Sequence, residues 1–362
     1  VDVIHLTGTI VADDEHESGE AWVVAGRLTY ERPKAPVDLH LHGVVLPGLV
    51  DVHCHVGLDA NGATDRPTAR RQALADRDTG VLAIRDAGSP LDTSWIAEEP
   101  NLPVLVRAGN HLARPKRYIR SYARELADPD DLAMAVSQEA ARGDGWVKIV
   151  GDWIDRDLAG GGDLAPLWTG SQLREAIAAA HEGGAKVTVH TFGTETLPDL
   201  LDAGVDCLEH ATGANPDQIA QIAAAGIPVT ATLLQVSQFD AIADAAGRFP
   251  LFAARMRAMH TRRAAQVRDL YDAGVPILVG TDAGGTIDHG RLPDEAAVMV
   301  DAGLPAPYVV ASSSWRTRAW LGLPTLTEGA SADLVVYPTD PRTDIAVLAA
   351  PSAIVLRGVR VR

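Results

Sequence analysis

Ala203-Gly204-Val205-Asp206-Cys207-Leu208-Glu209-His210 joins a helix end, a turn and a strand in one short run. A glycine after a helical stretch is the residue type that takes the left-handed conformation at a helix C-terminus, and the apolar run behind it reads as a buried strand. The phrase returns at Thr79-Gly80-Val81, Ala225-Gly226-Ile227 and Ala273-Gly274-Val275, and as Gly183-Gly184 ahead of Lys186. Helix starts are marked by Asp128-Pro129 and Asn215-Pro216, where a capping side chain precedes proline at the first helical position. Between these marks eight strands are expected: Gly48–His55, Val81–Asp86, Val104–Ala108, Trp146–Val150, Val187–Thr191, Val205–His210, Pro228–Thr232 and Pro276–Thr281. Strands alternating with helices imply a parallel sheet. Eight of them match a (β/α)8 barrel, for which roughly 250 residues are typical. An open doubly wound sheet is the competing arrangement, although no Gly-rich dinucleotide fingerprint follows the first strand.

The chain ends read differently. Val1–Leu46 and Leu326–Arg362 hold short β-rich runs such as Ala21–Leu28, Asp333–Tyr337 and Ala353–Arg362. Neither end is large enough to make a core alone. The expected fold class is therefore α/β, a (β/α)8 TIM barrel over 47–325 with a small composite β-sandwich from 1–46 plus 326–362. The segment Thr232–Leu270 is the longest insertion, helical by composition over Phe252–Tyr271, and is positioned to cover the barrel mouth.

With 362 residues, 46% of them apolar and 22% charged, the chain has the balance of a globular protein with a large core. Its net charge of −16, with no Lys/Arg-rich run, argues against a nucleic-acid partner. No apolar stretch approaches the roughly 18 residues of a membrane span. No basic segment leads an apolar one at the start, so no secretory leader is expected. Cys54 and Cys207 are too few for a disulfide framework. The expectation is a cytoplasmic protein acting on a small molecule, with homo-oligomerisation left open.

In a (β/α)8 barrel the reactive groups lie at the C-terminal ends of the strands. The first strand ends His53-Cys54-His55. Alternation turns both histidines to one face and Cys54 to the other, and two imidazoles on one face can hold a divalent cation. His190, His210 and Asp282 stand at the ends of strands five, six and eight. Singly, each has a plain structural explanation: a satisfied polar residue, or a helix cap for Asp282. Their co-location favours a metal site. His5, His16, His40, His42, His181 and His260 fall in helices or in the terminal pieces, where the plain explanation holds.

Lys148 is one of four lysines against twenty-eight arginines, and it lies inside an apolar strand. An unpaired buried cation is costly, so such an amine is either neutral or paired with a buried carboxylate. A neutral amine can take up carbon dioxide, and the carbamate formed can bridge two cations.

Pro47-Gly48-Leu49-Val50-Asp51-Val52-His53-Cys54-His55, Val147-Lys148-Ile149, Val189-His190-Thr191, Leu208-Glu209-His210-Ala211 and Gly280-Thr281-Asp282-Ala283-Gly284 resemble the amidohydrolase superfamily of metal-dependent hydrolases. So do Ile84-Arg85-Asp86-Ala87-Gly88, His289-Gly290 and Gly329-Ala330-Ser331-Ala332-Asp333-Leu334-Val335-Val336, so the resemblance spans nearly the whole chain. It is nearest to the imidazolonepropionase-related branch that includes Xaa-Pro dipeptidases with a lysine carbamate. The resemblance implies that His53, His55 and Asp282 hold the more buried metal. His190 and His210 would hold the second, and carbamylated Lys148 would bridge the two. Zinc is the expected ion for such histidine-rich sites, with manganese, cobalt or iron also compatible. A hydroxide formed from water between the metals would attack a carbonyl carbon, with Asp282 as general base and then acid.

Two loops depart from the branch. Gly151-Asp152-Trp153-Ile154-Asp155 stands where a Gly-Gly pair often follows the strand-four lysine. Gly109-Asn110-His111-Leu112 stands where related dipeptidases have Gly-Gly-His. The third loop offers His111, Tyr118 and Arg120 beside Arg114, Lys116 and Arg117, and with His289 these are the candidate substrate contacts. An arginine there could grip a carboxylate. A solvated basic loop on an acidic protein explains the same cations. The expected activity is hydrolysis of the C–N bond of a small amide, such as an N-acyl amino acid or dipeptide. A cyclic amide, carbamate, ester or lactone is the alternative substrate, and a catalytically silent metal-binding scaffold is the alternative outside enzymes.

Overall fold

The computed structural model describes residues 3–158 and 162–362, so the first two residues of the N-terminal piece and 159–161 lie outside the described residues. Each of the eight expected strands is present: β1 (Leu49–Cys54), β2 (Val81–Asp86), β3 (Val104–Arg107), β4 (Trp146–Val150), β5 (Lys186–Thr191), β6 (Cys207–His210), β7 (Val229–Thr230) and β8 (Ile277–Leu278). The helix ends follow the glycine reading, with Gly204 at φ +77° closing Leu197–Ala203. Asn215 caps Pro216–Ala225 in a capping box with Gln218.

The strands run parallel in two arcs, β1-β2-β3 and β4-β5-β6-β7-β8. The third strand is longer than the sequence implied and is split. After β3 the strand is interrupted at 108–110 and extended pairing resumes at His111–Ala113, where Leu112 pairs with Ile149 of β4. At the other end of each arc, β1 and β8 are neighbours. Val52 N–H donates to the Val279 carbonyl at 3.2 Å, Asp282 N–H to the His53 carbonyl at 2.7 Å, and His55 N–H to the Ala283 carbonyl at 2.8 Å. The strands are apolar on the face that meets the helices, and Val147, Ile149, Val189 and Leu208 are buried in one continuous core.

The two chain ends share one seven-stranded sheet, ordered Val359–Arg360, Ala353–Leu356, Leu334–Tyr337, Leu39–Pro47, Val3–Val11, Glu17–Val24, Arg27–Thr29. Leu334, Val336 and Val355 pack in a small cluster on one face, while Val335, Ile354 and Leu356 join the main core on the other. The expected run Ala21–Leu28 is broken at Ala25-Gly26, with φ +48° and +81°, and Ala353–Arg362 at Arg357-Gly358, with φ +50° and +77°. Both are two-residue hairpin turns needing positive φ at both positions. With alanine and arginine in the first places, neither carried the usual Asn-Gly or Asp-Gly mark.

The long insertion forms helices Leu233–Val236, Phe239–Ala245 and Pro250–Asp272. Phe239, Phe252 and Met256 pack with Ile154, Leu164 and Phe192 as a separate apolar cluster above the strand ends. Among the described residues no helix is long and apolar enough to cross a membrane.

Candidate metal centre and its cavity

Alternation along β1 brings His53 and His55 to the same side, as expected. Their Nε2 atoms lie 2.9 Å and 3.0 Å from one oxygen, Oδ1 of Asp282. His55 Nδ1–H donates to the Gly88 carbonyl at 2.7 Å. That bond leaves Nε2 as a bare lone pair facing a carboxylate oxygen, a contact that a shared cation resolves. Backbone packing makes the approach feasible: a Cβ on Gly284 would stand 2.4 Å from the His55 carbonyl oxygen. Asp51, fully buried, ties β1 to the end of β8 by accepting from Thr281 Oγ1 at 2.7 Å and from the backbone N–H groups of His53 and Thr281. Burial, together with the nearby Asp76, pushes its carboxyl up to about 7.

His190 and His210 complete a row of rings, with centroids 4.8 Å apart between them and 5.2 Å between His210 and His53. His210 Nδ1–H donates to Thr232 Oγ1 at 2.6 Å, which fixes its tautomer. His190 Nε2 is buried with no hydrogen-bond partner. Backbone strain marks the same strand ends: His210, Thr232 and Asp282 all sit at positive φ, +66°, +47° and +60°. Burial pushes the imidazoles toward the neutral form, His53 below its ordinary range, His190 well below it, and His210 down to about 3. For Asp282 burial acts in the opposite sense, yet His53, His55 and His210 together hold the carboxyl well below the usual range. Neutral imidazoles around one ionised carboxylate are the donor set a divalent cation takes. The orphaned His190 nitrogen and the doubly approached Asp282 oxygen both fit that assignment. Cys54 is buried with its thiol pushed up by burial, which keeps it a neutral, unreactive thiol.

Lys148 is buried within β4, and its Nζ donates to Glu209 Oε2 on β6. Here Lys148 has the carboxylate partner that the sequence left as the alternative to carbamate. Glu209 is held by Thr188 Oγ1 at 2.7 Å and stands 3.6 Å from His53 Nδ1. Burial would raise its carboxyl, but His53, Lys148 and Arg85 together lower it strongly. His53, Glu209 and His210 also form a second group whose ligand atoms lie within 4.8 Å of one another, beside His53, His55 and Asp282. Glu209 was not among the expected site residues, although the structure places it among them. An acidic side chain inside an apolar strand carries the same signal that singled out Lys148.

The four candidate substrate contacts divide. Tyr118 lines a cavity of about 290 Å³ whose floor is His55, His190 and Asp282. His111 is in a strand rather than a loop; it is fully buried, stacks on His55 at 4.9 Å, and is kept neutral by burial. Arg120 is exposed and does not line the cavity, because the loop after His111–Ala113 turns its side chain to solvent. His289 does not line the cavity: its Nδ1 bonds Asp76 at 2.8 Å, where Gly290 N–H also donates, and its side chain is 3% exposed. Both were read from residue type, which does not encode the direction a loop takes.

Residues 124–361 match the Amidohydrolase family. The uncharacterized protein Rv2915c of Mycobacterium tuberculosis is 47% identical over 356 residues, covering 98% of this chain and 95% of the relative. Among solved structures, a Xaa-Pro dipeptidase with bound methionine in its active site aligns over 99% of both chains with a TM-score of 0.83 at 21% identity. The ochratoxinase of A. niger aligns over 99% of this chain and 95% of that chain, with a TM-score of 0.81 at 18% identity. These likenesses carry the fold, and they extend to proteins named for different substrates. With strand-end histidines, Asp282 and the family match in agreement, the chain belongs to the amidohydrolase family.

Proposed function

We propose that the protein is a metal-dependent hydrolase that cleaves the C–N bond of a small amide. The eight strands are read as one closed (β/α)8 barrel over 47–325, beside a composite β-sandwich-like unit of 1–46 and 326–362. The observation that carries the reading is the convergence of two buried histidines on Asp282 Oδ1 at 2.9 Å and 3.0 Å.

His53, His55 and Asp282 would hold one divalent ion, and His190 with His210 a second. Lys148, as its carbamate, would lie between them. When bound, the ions supply Lewis acidity and make water a stronger acid. The remaining chemistry belongs to the chain. Asp282 accepts a proton from the attacking water and passes it to the leaving nitrogen. A C–O bond forms, the C–N bond breaks, and an acid and an amine depart. His55 is held in one tautomer by Gly88 and His210 by Thr232, so the ligand set is ordered before substrate arrives. The helices over the strand ends exclude solvent from the floor of the cavity.

Converting Lys148 to a carbamate requires the amine to lose its proton and to leave Glu209. A carbamate and Glu209 are both anions, so cations between the strand ends favour that state over the ion pair. The reading is tested by a panel of small amides and esters with the protein loaded with zinc or manganese. Amide turnover that disappears on chelation supports it. Silence across the panel with metal fully bound would turn the assignment to a scaffold.

A further inference from the structure

The cavity above Asp282 has a chemical character of its own. Its wall is aromatic: Tyr118, Trp153, Phe192 and Phe252 line it together with Met256. The rings form a continuous edge from the candidate ligand outward, His190 to Phe192 at 4.3 Å, His190 to Tyr118 at 5.5 Å and Tyr118 to Trp153 at 4.9 Å. Neutral polar groups close the mouth. Thr286 Oγ1 donates to Gln238 Oε1 at 2.7 Å, which leaves the Gln238 amide N–H groups as uncharged donors.

Among the described residues, no lysine or arginine lines this cavity. The cations of the surrounding elements lie outside it. Arg117 pairs with Asp155 at 2.8 Å and donates to the Ala165 carbonyl at 3.1 Å. Arg255 pairs with Asp163 and Glu195, each at 2.8 Å. Arg114 lies over the Trp168 ring at 6.0 Å, and Arg120 is exposed. A substrate carboxylate against this wall would be desolvated without a cationic side chain to meet it. An aromatic ring there would instead find edges and faces at ordinary packing distances. About 290 Å³ accommodates one ring with a short acyl group.

We infer that the substrate is an uncharged amide bearing an aromatic ring, an aryl or arylalkyl amide, and not a dipeptide or N-acyl amino acid with a free carboxylate. This rests on the amide-hydrolase reading and narrows it.

The test compares two probes that differ only in the carboxylate, N-acetylphenylalanine and N-acetylphenethylamine, on the metal-loaded protein. The expected result is a kcat/KM at least tenfold higher for the neutral amide. Equal or better turnover of the acid overturns the inference while leaving amide hydrolysis intact. Binding is read independently from the part of the intrinsic tryptophan fluorescence that Trp153→Phe removes, the chain having seven tryptophans. Saturable quenching by N-acetylphenethylamine and weaker response to the acid supports the neutral pocket even if neither probe is hydrolysed, an outcome that would count only against the hydrolase reading. No response to the neutral ring, or tighter binding of the acid, overturns the inference. Gln238→Arg adds a cation at the mouth and is expected to shift the preference toward the acid by at least tenfold. An unchanged ratio in a variant with wild-type circular dichroism contradicts the assignment of this wall.

Discussion

Lys148 and Glu209, sixty-one positions apart in sequence, meet as a buried ion pair between β4 and β6. The pair lies beneath the strand-end histidines, with His53 Nδ1 3.6 Å from Glu209. Removing one member of a buried pair leaves an uncompensated charge, which typically costs about 3–5 kcal/mol. In metal-free protein, Glu209→Leu is therefore expected to lose on the order of 3 kcal/mol of stability. The double variant with Lys148→Met should recover much of that loss. Urea unfolding with an unchanged slope measures both, and a loss below about 0.5 kcal/mol for the single variant would remove the pair's structural role.

Asp282→Asn should keep the fold and lose turnover by roughly 10²–10⁴, the scale of general acid–base assistance. The amide cannot carry the proton from water to the leaving nitrogen. Rates near wild type with metal bound would show that another group does so.

Arg120→Ala should leave kcat and KM within about twofold on acidic and neutral amides alike, since this exposed side chain lies away from the cavity. A rise in KM confined to carboxylate-bearing substrates would restore Arg120 as a substrate contact.

His289 supplies a pH-dependent check. Burial lowers its pKa, but the charge and hydrogen bond of Asp76 raise it further, so the folded value lies above the ordinary 6.5. Stabilisation from the His289–Asp76 pair is then complete below about 6.5 and fades as pH rises through the folded value. Thermal melts of wild type and His289→Asn should differ more at pH 6 than at pH 9. A gap that is constant or grows with pH would contradict the raised pKa.

Much of this arrangement was legible in the sequence because it is written in local patterns. Glycines behind helices delimit the strands, and the period of two places His53 and His55 on one face with Cys54 on the other. What escaped depends on distant partners. His111 reads as a loop residue until its strand is seen pairing beside β4. His289 reads as a substrate contact until Asp76, 213 positions away, is seen accepting its hydrogen bond. Glu209 stands in Leu208-Glu209-His210-Ala211, yet its pairing emerges only when Lys148 faces it. The hairpin at Ala25-Gly26 escaped for a local reason, the absence of the asparagine or aspartate that usually marks such turns.

The proposed hydrolase would hold two metal ions, with carbamylated Lys148 between their ligands. The most direct test is metal stoichiometry, by elemental analysis of protein reconstituted with zinc and bicarbonate and then freed of excess ion. Two zinc ions per chain are expected in the wild type, and Lys148→Ala and Lys148→Arg should each lose at least one, because neither side chain forms a carbamate. A short carboxylic acid should partly restore both the lost metal and the activity of the alanine variant. One ion or none in the wild type, with no loss on replacing Lys148, would contradict the account.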